Sequence, residues 1–83
     1  MPGPYFDRRR NNWKVVFFQS FFEAQRFVHY FNSRAFMSVR LRARLRRRRT
    51  LRGYAVSYPV GFNASPHFVQ SCFARAARDA MRH

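Results

Sequence analysis

Apolar and basic residues alternate with a period of two over residues 34–46. On a helix the apolar members of this segment would point in every direction, whereas on a strand they share one face. The pattern therefore predicts a half-buried strand over residues 35–46 whose other face is a row of arginines. The apolar set is Ala35, Met37, Val39, Leu41, Ala43 and Leu45, and Phe36 is the exception among the alternating positions.

The chain before residue 20 predicts a strand, and the chain after it predicts a helix. Residues 13–18 read WKVVFF, and β-branched and aromatic residues favour strands. Ser20 stands three residues before Glu23, the spacing of a capping box at a helix start. We expect this helix to end near Asn32, and a single long helix over residues 13–32 is the competing interpretation. The apolar stripe of the shorter helix is Phe21, Ala24, Phe27, Val28 and Phe31.

The last third of the chain predicts another strand and a second helix. Residues 53–60 read GYAVSYPV and alternate again. Pro59 has no N–H to donate, so we expect it near the end of that strand or at a sheet edge. Ser65 followed by Pro66 fits an N-cap and the first residue of a helix, which should run to about Arg82. Tyr54, Val56, Tyr58 and Val60 share one side of the strand, and the helix has its apolar stripe at Phe68, Val69, Cys72, Phe73, Ala76, Ala77, Ala80 and Met81.

The predicted order of elements is β-α-β-β-α. Six residues recur at an offset of 41, among them Val15 with Val56 and Phe27 with Phe68, so two β-α halves flank a middle strand. This order predicts an α+β, ferredoxin-like fold with a three-stranded antiparallel sheet and two helices on one face. Residues 1–12 form an extended basic arm, and residues 13–83 form the single domain. The fourth strand of the plan is missing, which leaves the first strand as an open edge.

The charge of the chain is strongly one-sided. Lysine and arginine number 17 against three acidic residues, a net charge of +14, and Lys14 is the only lysine. No acidic residue lies between Glu23 and Asp79, so internal ion pairs cannot neutralise the arginines between them. Such self-repulsion predicts an anionic partner: RNA, DNA, an anionic membrane surface or an acidic protein. Arginine favours nucleic acid because its guanidinium group binds phosphate in a fork and stacks on bases.

Several classes of protein are not expected. The longest apolar run, Val15–Phe18, has four residues, far fewer than the roughly 20 of a membrane-spanning helix. The start of the chain has no apolar stretch of a secretory signal, and the single Cys72 cannot form an internal disulfide. The carboxylates are scattered, so we expect no enzyme. The three histidines have no metal-ligand spacing, so no metal, other cofactor or small-molecule substrate is expected.

Two segments resemble the signatures of the RNA recognition motif. Residues 52–55, RGYA, are similar to the opening of RNP1, and residues 16–21, VFFQSF, are similar to RNP2. The resemblance covers roughly residues 15–82 and implies that bases stack on Phe17 and Tyr54 while Arg52 contacts a phosphate. Val56 stands where the family has its second stacking aromatic residue. The SPOR peptidoglycan-binding domain has the same strand order, but its usual periplasmic setting requires an export signal.

The candidate RNA-binding residues are the arginines of the predicted middle strand, the following loop and the basic arm, together with two aromatic residues. Packing of the aromatic residues in a core or against a protein is the alternative for Phe17 and Tyr54. A solvated or protein-facing surface is the alternative for the arginines. The set is Arg8, Arg9, Arg10, Arg40, Arg42, Arg44, Arg46, Arg47, Arg48, Arg49, Arg52, Phe17 and Tyr54.

These features predict a non-catalytic RNA-binding component of a large ribonucleoprotein, above all a ribosomal protein that binds ribosomal RNA. Neighbouring proteins of the assembly would bind at the open edge of the first strand. An arginine-rich, acid-poor start is compatible with mitochondrial import, so a mitochondrial ribosome is the expected location, with a cytoplasmic or other organellar ribosome as the alternative. A small basic subunit of a mitochondrial inner-membrane complex is the second function, which a lipid-facing helix over residues 13–31 would mark. A free RNA-recognition module is the third.

Overall fold

The computed structural model describes residues 11–33, 41–61 and 64–83. Within these ranges three strands form one antiparallel sheet in the order β1-β3-β2, and two helices complete an α+β fold, as the sequence predicts. Residues 1–10 of the predicted basic arm and residues 34–40, with most of the predicted middle strand, lie outside the described residues. Asn11 and Asn12, which the sequence assigns to the arm, are instead part of the first strand. The elements are β1 (Asn11–Phe18), α1 (Phe21–Asn32), β2 (Arg44–Leu45), β3 (Tyr54–Gly61) and α2 (Pro66–Arg82).

The break between β1 and α1 falls at Gln19 and Ser20. Ser20 is extended, with φ −107° and ψ 129°, and its side chain accepts a hydrogen bond from the backbone N–H of Glu23. This cap satisfies one of the free donors at the helix start, so the helix begins at Phe21. The predicted capping position is confirmed, and the competing single helix over residues 13–32 is wrong because residues 11–18 pair with β3.

The second helix begins at the predicted cap. Ser65 accepts a hydrogen bond from the backbone N–H of Phe68 at 3.2 Å, and Pro66 follows as the first helical residue, where its missing N–H has no effect on the helix. The helix ends at Arg82. Both predicted ends of α2 are therefore confirmed.

The middle strand is shorter in its described part than the alternation predicts. Among residues 41–46 only Arg44 and Leu45 are in a strand, paired with Ser57 and Val56 of β3. Continuing this register would place Arg42 opposite Pro59, which has no N–H for the ladder. The alternation in burial is nevertheless present, because Leu45 is half-buried and Arg44 is exposed.

Asn32 holds the residue that precedes β2. The Asn32 side chain donates from Nδ2 to the backbone oxygen of Ala43 at 3.0 Å, and its Oδ1 accepts from the backbone N–H of Ala43 at 2.8 Å. Alternate residues bond to the partner strand in an antiparallel pair. Arg44 and Arg46 face β3 in this way, so the backbone groups of Ala43 point away from β3 and bond to Asn32 instead. The last residue of α1 thus holds the chain that enters β2, and the predicted strand is corrected to Arg44–Leu45 over the described residues.

Aromatic rings fill the core between the sheet and the helices. The ring of Phe27, on α1, lies 4.5 to 5.9 Å from the rings of Phe18, Phe31, Tyr58 and Phe73. Phe27 and Phe31 are fully buried, and burial raises the pKa of the Tyr58 phenol above its ordinary value. Because these rings come from β1, β3 and both helices, they fix both helices on one face of the sheet.

Candidate nucleic-acid interface

The register of β1 and β3 separates two faces of the sheet. Phe18 pairs with Tyr54, and Val16 pairs with Val56. Cross-strand partners share a face, and Phe18 and Val56 are buried in the core, so these residues face the helices. The alternate residues lie on the opposite side, which is called the outer face: Trp13, Val15 and Phe17 of β1, Ala55, Ser57 and Pro59 of β3, and Arg44 of β2.

The β1 part of the outer face is apolar and accessible. Trp13 is 49% exposed, Val15 58% and Phe17 36%. Small residues of β3 lie beside them, because Val15 pairs with Ser57 and Phe17 with Ala55. The face therefore offers two aromatic rings: Phe17 lies beside the small Ala55, and Trp13 lies beside Pro59, which is buried.

Arginines lie along the β2 side of the outer face. Arg44 pairs with Ser57, which places it across β3 from Val15. Arg46 continues the ladder through a 3.0 Å bond from its N–H to the oxygen of Ala55, and both arginines are exposed. An apolar strip on β1 and a basic strip on β2 thus share one face, separated by the small side chains of β3.

Gln19 ties the loop between β2 and β3 to the end of β1. Arg49 donates to the backbone oxygen of Gln19 at 2.9 Å and to its Oε1 at 3.1 Å. The Gln19 amide donates in turn to the backbone oxygen of Arg52 at 2.8 Å. Arg52 then lies with its guanidinium carbon 5.7 Å from the centre of the Phe17 ring, within the range of a cation–π contact. The loop therefore carries a cation to the edge of the outer face.

The two aromatic residues of the implied stacking site lie on different faces of the sheet. Tyr54 is half-buried on the helix side, where its ring lies 5.1 Å from that of Phe21 and 5.3 Å from the guanidinium carbon of Arg49. Phe17 and Tyr54 therefore do not form one stacking surface, because pairing with Phe18 places Tyr54 on the helix side. Phe17 remains a candidate, and the RGYA segment supplies no ring to the outer face.

The described candidate arginines form two groups, one at β2 and one in the loop between β2 and β3. The β2 group contains Arg42, Arg44 and Arg46, and the loop group contains Arg47, Arg48, Arg49 and Arg52; all seven are exposed. Arg8, Arg9, Arg10 and Arg40 lie outside the described residues.

Sequence reasoning missed Trp13 as a site residue. The signal was available in the strand prediction itself, since a period of two over WKVVFF places Trp13, Val15 and Phe17 on one face. Trp13 is the only tryptophan of the chain, so it also offers a specific spectroscopic probe of this face.

The two described acidic residues lie on the helices, away from the outer face. Asp79 of α2 accepts hydrogen bonds from Tyr30 and Arg26 of α1, the latter at 2.8 Å. The Tyr30 and Arg26 hydrogen bonds hold the pKa of the Asp79 carboxyl below its usual value. Glu23 is in the first turn of α1. No acidic side chain therefore offsets the arginines on the described part of the outer face.

The described residues hold no group of three or more histidine, cysteine, aspartate or glutamate side chains that could bind a metal ion. Cys72 is buried in the core. In the same ranges no helix has the length and apolar character needed to cross a membrane.

Comparisons with protein-family models, with curated proteins and with solved structures find no match.

Proposed function

We propose that this chain is a non-catalytic RNA-binding protein and a structural component of a large ribonucleoprotein, of which the ribosome, mitochondrial or cytoplasmic, is the leading example. The observation that carries the proposal is the outer face, where exposed aromatic rings on β1 lie on the same side as arginines of β2. Aromatic side chains beside a positively charged groove are the usual means of binding single-stranded nucleic acid.

Each part of the outer face has a separate role in this mechanism. The arginines neutralise phosphates and release condensed counterions, which supplies affinity without sequence preference. Trp13 and Phe17 lie four residues apart on one strand, or roughly 13 Å at 3.3 Å per residue. Each ring can stack on an unpaired base, while Arg52, whose guanidinium group lies over the Phe17 ring, binds the adjoining phosphate.

The structure offers less support for a subunit of a membrane complex. That alternative needs a lipid-facing helix over residues 13–31, but residues 13–18 are in a strand. The buried side of α1, which includes Ala24, Phe27 and Phe31, faces the core. The exposed apolar residues of β1 are the remaining feature that a lipid surface could contact. Binding to lipid vesicles therefore distinguishes this alternative from RNA binding.

The position of β1 is compatible with neighbouring proteins in the assembly. It is an outer strand and pairs with β3 on one side within the described part of the sheet. Exposed strand edges readily pair with another chain. A structural component of a large particle can have such an edge covered by a neighbour.

Substitutions of one aromatic residue test the proposal directly. Replacing Phe17 by Leu keeps an apolar side chain but removes the ring, whereas replacing it by Tyr keeps the ring. For a single-stranded RNA, we expect Phe17→Leu to weaken binding roughly 5- to 150-fold, because one lost stacking contact costs about 1–3 kcal/mol. Phe17→Tyr should bind within about twofold of the unmodified protein.

Equal affinities of the two variants would contradict stacking on Phe17. Absence of RNA binding by the unmodified protein at low salt would reject the function itself. Far-ultraviolet circular dichroism of each variant controls for the fold, since Phe17 is accessible and does not belong to the core.

A further inference from the structure

Leu51 is the most exposed large apolar side chain in the described part of the protein. Its relative exposure is 106%, whereas the other two leucines, Leu41 and Leu45, are half-buried. It lies at the tip of the loop between β2 and β3, where turns usually have Gly, Pro, Asn, Asp or Ser. Leucine at this position makes no contribution to the core.

The turn that holds Leu51 is closed by several hydrogen bonds. Thr50 and Gly53 exchange two backbone bonds, at 2.9 and 3.1 Å. The Thr50 hydroxyl donates to the Gly53 oxygen at 2.8 Å and accepts from the N–H of Arg52 at 3.1 Å. Gly53 has φ +120°, and a Cβ there would lie 2.5 Å from the Phe18 oxygen, so the turn needs glycine at this position.

The base of the same loop is held by Gln19, through its bonds with Arg49 and with the backbone of Arg52. Leu51 is therefore presented on an ordered tip. Because the backbone of the tip is already ordered, a partner that binds Leu51 has little loop entropy to remove.

The charges around Leu51 restrict its partner. Arg47, Arg48 and Arg52 are exposed in the same loop, so the surface that receives Leu51 must offer an apolar slot near anionic groups. Two neighbouring RNA bases that have lost their stacking provide such a slot, with phosphates on both sides. Apolar side chains such as leucine are known to wedge between base steps in nucleic acids. A lipid surface fits less well, because stable membrane anchoring needs more apolar area than one leucine supplies.

We propose that Leu51 is a wedge that inserts between unstacked bases of RNA at a bulge, an internal loop or a helix junction. Arg47, Arg48 and Arg52 bind the phosphates on either side. The inference rests on the proposed RNA-binding function and adds to it the class of RNA recognised, which is an irregular helix instead of a continuous duplex. Because Arg52 also contacts Phe17, Leu51 lies near the outer face. An RNA strand that leaves the bulge, internal loop or junction can therefore continue onto β1.

A pair of matched RNA hairpins tests the inference. One has a short bulge flanked by 2-aminopurine, and the other has the same stem without the bulge. The unmodified protein should bind the bulged hairpin more tightly and raise the 2-aminopurine fluorescence. Leu51→Ala should lose roughly 5- to 30-fold in affinity for the bulged RNA, because it buries less apolar surface, while its affinity for the continuous stem stays the same.

Two further variants test whether the loss of affinity depends on the apolar side chain of Leu51. Leu51→Met keeps a long apolar side chain and should keep both the affinity and the fluorescence change. Met81→Ala removes another exposed apolar side chain, 88% exposed on α2, and should have no effect. Both positions are exposed, so the fold of all three variants should be unaffected, and thermal unfolding checks this.

The contradicting outcomes are distinct. If Leu51→Ala binds both hairpins as the unmodified protein does, the wedge is rejected while the RNA-binding function stands. If the unmodified protein binds neither hairpin at low salt, both proposals fail. If Leu51→Ala instead loses binding to vesicles of phosphatidylcholine and phosphatidylserine with no change on RNA, the wedge is rejected in favour of a lipid contact.

Discussion

The side-chain amide of Asn32 forms both backbone hydrogen bonds of Ala43, one as donor at 3.0 Å and one as acceptor at 2.8 Å. Asn32 is the last residue of α1, and Ala43 is the buried residue just before β2. One side chain therefore holds the chain at the residue just before it enters β2. It also positions Arg44, the first arginine of β2 on the outer face.

Replacing Asn32 by Ala should destabilise the protein by about 1–3 kcal/mol, since two backbone groups of a buried residue lose their partners. Urea unfolding followed by circular dichroism measures the change. Gln25→Ala, at an exposed position of the same helix, is the control and should change the free energy of unfolding by no more than about 0.5 kcal/mol. A similarly small effect for Asn32→Ala would show that the amide does not hold this junction.

The strands and helices of this chain could largely be predicted because their signals are local. Ser20 and Ser65 are helix caps with the expected spacing, β-branched and aromatic residues identify β1, and the period of two identifies β3. The length of β2 could not be predicted in this way. Its described part begins at Arg44, because Pro59 of β3 lacks the N–H that would continue the ladder, and Pro59 is a long-range partner.

The candidate site was predicted in part. The exposed arginines of β2 and the loop follow from charge and alternation. The positions of Phe17 and Tyr54 do not, because cross-strand register decides which residues share a face. Phe17 lies opposite Ala55 and Tyr54 opposite Phe18, so the two rings are on different faces although each segment resembles an RNA-binding signature.

The ion pair between the helices should make stability depend on pH. The pKa of Asp79 is lowered in the folded protein by the Tyr30 and Arg26 hydrogen bonds. A carboxyl group of this kind stabilises the fold fully above its unfolded pKa, near 4, and the contribution is lost as the pH falls through the lower folded pKa. We therefore expect Asp79→Asn to be less stable than the unmodified protein at pH 7.

The difference between the two proteins should shrink as the pH falls from about 4 towards 2. Thermal unfolding over this range measures it, and Glu23→Gln serves as a charge-matched control on α1. A stability difference that stays constant with pH would show that Asp79 acts through something other than its charge.

Salt dependence of RNA binding should locate the phosphate contacts. With about six to eight arginines on phosphates, the slope of log affinity against log salt should be roughly −4 to −7, at 0.7 to 0.9 per contact. Replacing the three arginines of the β2 group, Arg42, Arg44 and Arg46, by Gln should make the slope less steep by about 2. Fluorescence anisotropy of a labelled RNA at several salt concentrations measures these slopes.

The control for that variant changes the same number of charges on α2. Arg75, Arg78 and Arg82 lie on the helix layer, and replacing all three by Gln should change the slope by less than about 1. Arg75 also lies over the Tyr30 ring, so the stability of this control needs to be checked first. Equal slopes for the two triple variants would mean that the outer face is not the preferred RNA surface.

The fluorescence of Trp13 tests the central proposal, RNA binding by the outer face, most directly. Trp13 is the only tryptophan, lies on that face and is 49% exposed, so its emission reports contact at the site without a label. Addition of single-stranded RNA at low salt should quench the emission saturably, because a base stacks on the indole ring, and added salt should reverse the quenching. Unchanged emission with saturating RNA, together with a blue shift on addition of anionic vesicles, would contradict the account and favour a lipid-facing surface.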